Sequence, residues 1–203
     1  IRVFTHNEQA VLCRYLMSDF SLKNAGILLC LFTGIRVGEL CALRWENICL
    51  QDRVLCVQHT MQRIQTDMPS DQKTKVMITS PKSKHSIRVI PLPEDFAKLL
   101  ASIQPESSSG FFLTGREHHW VEPRSMQNHF KRVLQCCAIA PANFHALRHT
   151  FATRCVELGF DLKSLSEILG HANVNITMNR YVHPSMELKR DHMQKLSSLF
   201  AVK

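Results

Sequence analysis

The stretch Phe144-His-Ala-Leu-Arg-His-Thr-Phe151 concentrates side chains that can do chemistry. On a helical wheel His145, Arg148, His149 and Ala152 share one face, while Leu147, Phe151, Cys155 and Leu158 share another, so packing the second face presents the first. A His and an Arg three residues apart on one turn reach adjacent oxygens of a single phosphate. Taken alone, the same helix also reads as a solvated polar face. It is followed by Leu169-Gly-His171 and Asn179-Arg-Tyr-Val-His183, and preceded far upstream by Thr33-Gly-Ile-Arg36.

Several elements must bring these groups together. Thr5-His-Asn-Glu8 has the form of a capping box and predicts a helix from near His6 through Leu12 and Leu16. A second helix, about Leu22 to Phe32, is apolar nearly all round and belongs in the core. Its end at Thr33-Gly34 leaves Arg36 just beyond a buried element, and Gly38 to Arg44 reads as a further short helix. The runs Val54–Gln58, Lys75–Thr79 and Ile87–Ile90 predict a small antiparallel sheet. The last two are expected to form a hairpin whose tip, Ser80 to Ser86, carries Lys82 and Lys84. Gln62 to Lys73 reads as an exposed, mobile polar connection.

Helical patterns dominate from Pro93 onward. Leu162, Leu165, Ile168 and Leu169 form a helical stripe that Gly170 is placed to end in the left-handed conformation, so that His171 emerges at the terminus. Asn175 or Thr177 is expected to cap the short helix carrying Tyr181. A last helix is expected from Ser185 to Phe200.

At 203 residues and 45% hydrophobic composition the chain can bury one substantial core. The longest apolar run, Ala25 to Ile35, is too short for a membrane span, and no secretory signal opens the chain. Eight cysteines lie in apolar or helical segments without CxxC spacing, which argues against a disulfide framework or a zinc site. His118-His119 lacks a ligand partner at useful spacing, so these read as surface histidines. A net charge of +8 commonly accompanies a polyanionic partner.

The segments TGIRVGEL (Thr33 to Leu40), HALRHTFAT (His145 to Thr153) and LGHANVNITMNRYVH (Leu169 to His183) resemble, in order, the signature boxes of the tyrosine recombinase (phage integrase) family. The likeness runs from Phe4 to about Phe200, and integrases of phages and conjugative transposons are the nearest-looking branch. It implies an α+β fold, a mainly helical catalytic domain with a small antiparallel β-sheet, over residues 1–203. An N-terminal core-binding domain is expected upstream, outside this chain, which opens without an initiator Met.

By this resemblance Arg36 and Arg148 clamp the phosphate and Tyr181 is the nucleophile. His145 is the proton-handling histidine, His171 the hydrogen-bonding histidine, and Glu39 orients the arginine box. Lys82 matches the family's hairpin lysine, with Lys84 the alternative. The chemistry needs these types, because two guanidiniums stabilise charge growing on non-bridging oxygens without a metal or other cofactor. Tyrosine, with a pKa of about 10, must lose its proton as it attacks. Singly, Arg36, His171 and Tyr181 each have ordinary structural explanations; together they point to catalysis. Tyr181 lies ten positions after His171 where many members have nine, which leaves open whether it rests in the site or swings in.

The implied reaction is site-specific cutting and rejoining of DNA through a 3′-phosphotyrosyl link, in the bacterial cytosol. The implied partners are double-stranded DNA and three further copies of the chain, as a homotetramer on synapsed DNA and a monomer without it. A type IB topoisomerase, or a catalytically silent DNA-binding protein of the same fold, are the alternative readings. A metal-dependent nuclease lacks an obvious carboxylate cluster.

Overall fold

The computed structural model describes residues 2–65, 74–80 and 86–181, with 190, 193 and 194 beyond them. Helix α1 (His6–Ser18) opens on the expected capping box, in which the Glu8 amide donates to Thr5 Oγ1 at 3.1 Å and the Thr5 amide donates to the Glu8 carboxylate at 2.8 Å. Its buried residues are Leu12 and Leu16. Helix α2 (Leu22–Thr33) is buried over most of its circumference, as its uninterrupted apolar run requires. It ends at Gly34, which takes a left-handed φ of 67°. Helix α3 (Val37–Ala42) follows at once, then a turn of 3₁₀ helix (Trp45–Asn47).

Five strands come next among the described residues: β1 (Ile48–Cys49), β2 (Val54–Val57), β3 (Thr60–Gln65), β4 (Thr74–Thr79) and β5 (Arg88–Pro91). They form two antiparallel sheets where one was expected, a three-stranded sheet in the order β1-β2-β5 and a ribbon of β3 with β4. The expected hairpin pairing of β4 with β5 is therefore corrected. Strand β4 pairs β3 from Thr60↔Thr79 to Gln65↔Thr74, and β5 pairs β2 from Val54↔Pro91 to Val57↔Arg88. Gln62 to Gln65, read as loop, belong to β3. The ribbon has little to bury, with Gln62, Arg63 and Gln65 exposed and only Met61 fully inside, so no apolar alternation marked it. Lys82, Lys84 and the other residues 81–85 of the expected hairpin tip lie outside the described residues, as does most of the expected Ser185–Phe200 helix.

Five further helices follow among the described residues up to Tyr181: α4 (Glu94–Ala101), α5 (Pro123–Cys136), α6 (His145–Glu157), α7 (Leu162–Leu169) and α8 (Val174–Tyr181). None of the described helices is long and apolar enough to cross a membrane. The main core sets α6 in place. Phe130 of α5 packs edge-on between Phe4 and Phe144, at ring distances of 6.3 and 5.2 Å, and burial of each such side chain contributes about 1.5–3 kcal/mol. The Phe4 amide donates to Thr150 Oγ1 at 2.9 Å, and Arg154 donates to the Phe4 carbonyl at 2.6 Å, tying the N-terminal segment to α6. Ala152, Cys155, Leu165, Leu169 and Tyr181 form a second, smaller hydrophobic cluster between α6, α7 and α8.

The expected division of α6 into two faces holds only in part, since Arg148 and Ala152 of the face expected to be presented are buried. Leu147 and Cys155 are buried, but Leu158 is 77% exposed because α6 ends at Glu157 and the chain turns away.

Candidate active site

Arg148 is the most enclosed of the expected site residues, only 2% exposed. A guanidinium can be buried so deeply only if its donors are met. Nη1 donates to the Gly34 carbonyl at 2.7 Å, and Nη2 donates to the Leu169 carbonyl at 2.7 Å and to His171 Nε2 at 2.9 Å. Both carbonyls stand at the ends of helices stopped by a left-handed glycine, Gly34 after α2 and Gly170 after α7. Burial, then the neighbouring charge of Arg36, pull the guanidinium down to about 9. That is still well above neutrality, so Arg148 is a cation at working pH.

These contacts also fix the His171 ring. Arg148 only donates, so Nε2 accepts, and the ring proton sits on Nδ1, which donates to Thr177 Oγ1 at 2.8 Å. Thr177 is fully buried and is thus a brace for His171 instead of the expected cap of α8. The capping contact at the start of α8 comes from Asn173, whose side chain accepts from the Asn175 amide at 2.8 Å.

Arg36 precedes α3 and is about a third exposed, with its guanidinium 2.8 Å from Glu39. The Glu39 carboxylate also accepts from the Arg36 amide at 2.8 Å, capping α3. A second arginine completes this arrangement. Arg88 on β5 is buried and grips Glu39 through both oxygens, at 3.1 and 2.9 Å, while donating to the Ile168 and Ser86 carbonyls at 2.6 and 3.0 Å. Burial pushes the Glu39 carboxyl up, but hydrogen bonds and charge from Arg88 and charge from Arg36 outweigh it, and the carboxyl lies below its ordinary value. Glu39 is therefore a buried carboxylate shared between the Arg36 and Arg88 guanidiniums.

Arg36, His145 and Arg148 line one cleft of about 170 Å³, joined there by Gln127 of α5 and by Asn143. His145 is exposed at the first turn of α6 and stacks edge-on with His149, rings 4.7 Å apart. Tyr181 at the end of α8 is only 8% exposed, and its hydroxyl is hydrogen-bonded to His149 Nδ1 at 2.9 Å. Tyr181 thus rests docked against its own domain. Among the described residues no cluster of His, Cys, Asp or Glu is placed to hold a metal ion. All eight cysteines are free, and burial lifts the Cys41 and Cys155 thiols to about 12, which removes them as rival nucleophiles.

The model of the phage integrase family matches residues 2–187. This chain belongs to that family. It is 30% identical over 189 residues to a tyrosine recombinase XerC-like protein of Caldanaerobacter subterraneus subsp. tengcongensis, an alignment covering 85% of this chain and 48% of the relative. It is 25% identical over 216 residues to the transposase of transposon Tn916 from Enterococcus faecalis, covering 96% of this chain and 51% of the relative. The chain thus spans about half the length of these curated relatives. In three dimensions it is similar to the integrase of transposon Tn1549 solved with circular intermediate DNA, with a TM-score of 0.76, 23% identity, and coverage of 97% of this chain and 67% of the other. It is also similar to XerA recombinase, with a TM-score of 0.67, 23% identity, and coverage of 96% and 65%. These structural likenesses show the phage integrase fold.

Within this integrase fold, Arg36, Glu39, His145, Arg148, His171 and Tyr181 are brought to one side of the molecule by α2, α3, α6, α7 and α8. Lys82 lies outside the described residues. Sequence reasoning missed the parts of Arg88 and Gln127, read Thr177 as a helix cap, and gave His149 no role beyond its place on the α6 face. The wheel that set His149 beside His145 was the available signal for it. Gln127 and Thr177 carried none, since both depend on how α5 and α8 pack.

Proposed function

We propose that this chain is the catalytic domain of a site-specific DNA recombinase of the integrase type, cutting and rejoining strands by transesterification without a metal cofactor. The observation that carries the reading is the convergence of Arg36, His145 and Arg148 on one cleft, with the Tyr181 hydroxyl held nearby on α6. Duplex DNA is the partner we assign, in keeping with the net charge of +8 and with the Tn1549 integrase solved on transposon right end DNA.

In this mechanism Arg36 and Arg148 donate to the non-bridging oxygens of the scissile phosphate and stabilise the charge that grows there. Arg148 is pre-ordered by two carbonyls, and Arg36 by Glu39, so little reorganisation is left for the reaction itself. His145 handles protons at the phosphate, and His171 accepts from Arg148 and so holds that guanidinium in place. Tyr181 attacks phosphorus, the 5′-oxygen leaves with a proton from Lys82, and a 3′-phosphotyrosyl link conserves the bond. A free 5′-hydroxyl from a partner strand reverses the step and completes exchange. Four copies on two duplexes, in a bacterial cytosol, would carry out the full cycle, with a monomer in the absence of DNA.

The test is to trap covalent protein–DNA adducts on nicked duplexes. Tyr181→Phe should abolish the adduct while leaving DNA binding nearly unchanged, and wild-type adduct formation should survive EDTA. Equal loss of binding and cutting would make Tyr181 structural, and inhibition by chelator reversed by Mg²⁺ would point to a metal-dependent nuclease.

A further inference from the structure

The hydrogen bond at the nucleophile itself is made by a residue to which the family resemblance gave no part. Tyr181 Oη lies 2.9 Å from His149 Nδ1, and the two rings are 5.7 Å apart at 53°. His149 is half-buried on the α6 turn that also carries Arg148, and His145 meets it edge-on at 4.7 Å. On the reading above, this hydroxyl must shed a proton at the moment of attack, and a base must already be within hydrogen-bond reach of it.

We propose that His149 is a further catalytic residue, the base that takes the Tyr181 proton during strand cleavage and returns it during rejoining. This rests on the recombinase reading. In the resting state the Tyr181 O–H donates to Nδ1, which places the imidazole proton on Nε2. As the Oη–P bond forms, the Oη–H bond breaks and its proton passes to Nδ1, leaving His149 an imidazolium. The P–O5′ bond breaks in the same step, and the departing oxygen takes its proton from the general acid. Rejoining runs in reverse, and Nδ1 protonates Oη as tyrosine leaves phosphorus. No proton is gained or lost by the protein over the cycle.

The surroundings suit this transfer. Among the titratable groups near His149 are His145, edge-on to it on α6, and Tyr181 on α8, and the preceding residue of α6, Arg148, contacts His171. The Arg148 cation lies close enough to interact with a tyrosinate at 181, so it favours loss of that proton. The two histidines of α6 then divide the work. His145 is exposed in the phosphate cleft with Arg36, whereas His149 is turned to the nucleophile.

The experiment uses the intact protein and a pool of nicked duplexes with randomised sequence around the nick, from which adduct-forming duplexes are recovered with the wild type. His149→Asn keeps a polar partner near the Nδ1 position but cannot accept a proton at neutral pH. It should bind those duplexes as wild type and form adduct about 10²- to 10⁴-fold more slowly, a loss that shrinks as pH is raised toward the tyrosine pKa of about 10. His149→Gly should be slow in the same way and recover about tenfold or more with added imidazole. Adduct formation by His149→Asn within about threefold of wild type would show that His149 only orients Tyr181, and would overturn the proposal while Tyr181→Phe stayed inactive. Absence of any wild-type adduct would instead overturn the recombinase reading, and this inference with it.

Discussion

Arg148 Nη1 and the Gly34 carbonyl, 114 residues apart in sequence, meet at 2.7 Å. The contact exists because α2 stops where it does. Gly34 turns the chain into the left-handed region, and a Cβ at that position would lie 2.6 Å from Phe151 Cδ1 and 2.9 Å from Leu169 Cδ2. A single small residue therefore sets both the end of a buried helix and the seat of a buried guanidinium.

Gly34→Ala should accordingly lose stability and catalysis together. The left-handed backbone costs a side chain about 1–2 kcal/mol, and crowding against Phe151 and Leu169 adds about 1–3 kcal/mol. Thermal or urea unfolding should register a loss in that combined range. Adduct formation by the folded fraction should fall further than DNA binding, because Arg148 is displaced. An unchanged melting temperature would show that the turn relaxes at no cost.

The Glu39 carboxyl gives the fold an acid dependence of defined direction. Burial raises it, but Arg88 and Arg36 hold it below its ordinary value of 4.5. A depressed carboxyl contributes stability that is fully present above its unfolded pKa and is lost as pH falls through the lower folded value. Unfolding free energy should therefore decline below about pH 4.5, and Glu39→Gln should flatten part of that slope. Arg88→Met should cost about 3–5 kcal/mol at neutral pH, since it leaves a buried carboxylate with one partner fewer. A loss under about 1 kcal/mol would mean that Arg36 alone satisfies Glu39.

Thr177→Val keeps the shape of a buried residue and removes the acceptor for His171 Nδ1. A neutral hydrogen bond contributes about 0.5–1.5 kcal/mol, so adduct formation should slow by roughly threefold to tenfold, with Thr177→Ser near wild type. Nitrogen shifts of the imidazole should show His171 protonated on Nδ1 in the wild type. A ring found protonated on Nε2 would contradict the donor assignment made from Arg148.

The proposed general acid can be separated from the arginine clamp with a substrate whose leaving 5′-oxygen is sulfur. A thiol, with a pKa of about 8.5, departs without a proton, whereas an alkoxide needs one. Lys82→Ala should cleave the all-oxygen duplex about 10²- to 10⁴-fold more slowly and recover most of that on sulfur. Arg36→Ala should not recover, because charge still develops on the non-bridging oxygens. Rescue of Lys84→Ala alone would move the assignment two residues on, and rescue of neither would place the proton donor elsewhere.

Local chemistry made much of this fold legible before any coordinates. Thr5 and Glu8 announced α1, the apolar run announced α2, and Gly170 announced the end of α7, because each signal sits within a few residues of its effect. Strand pairing was not legible in the same way. Strands β3 and β4 bury little, so no alternation recorded them, and the partner of β5 was β2 across a long excursion of chain. The proposed catalytic residues were legible because their motifs are contiguous, whereas the contacts of Arg88 and Thr177 are ones that only packing creates. Arg148 was expected on a presented face and lies inside, since a helical wheel cannot foresee that two distant carbonyls will receive it.

The separate small cluster under Tyr181 has a consequence for timing. Regions that bury few apolar side chains open at a lower cost than the whole domain unfolds. Tyr181 of α8 is buried in that cluster with Ala152, Cys155, Leu165 and Leu169, while α2, α3 and α5 contribute to the main core. Withdrawal of the tyrosine therefore leaves Arg36 and Glu39 seated in their places. On the proposed reading, such a protomer keeps the Arg36–Glu39 pair but lacks both its nucleophile and the Thr177 brace behind His171, so silence and readiness differ by the position of one helix.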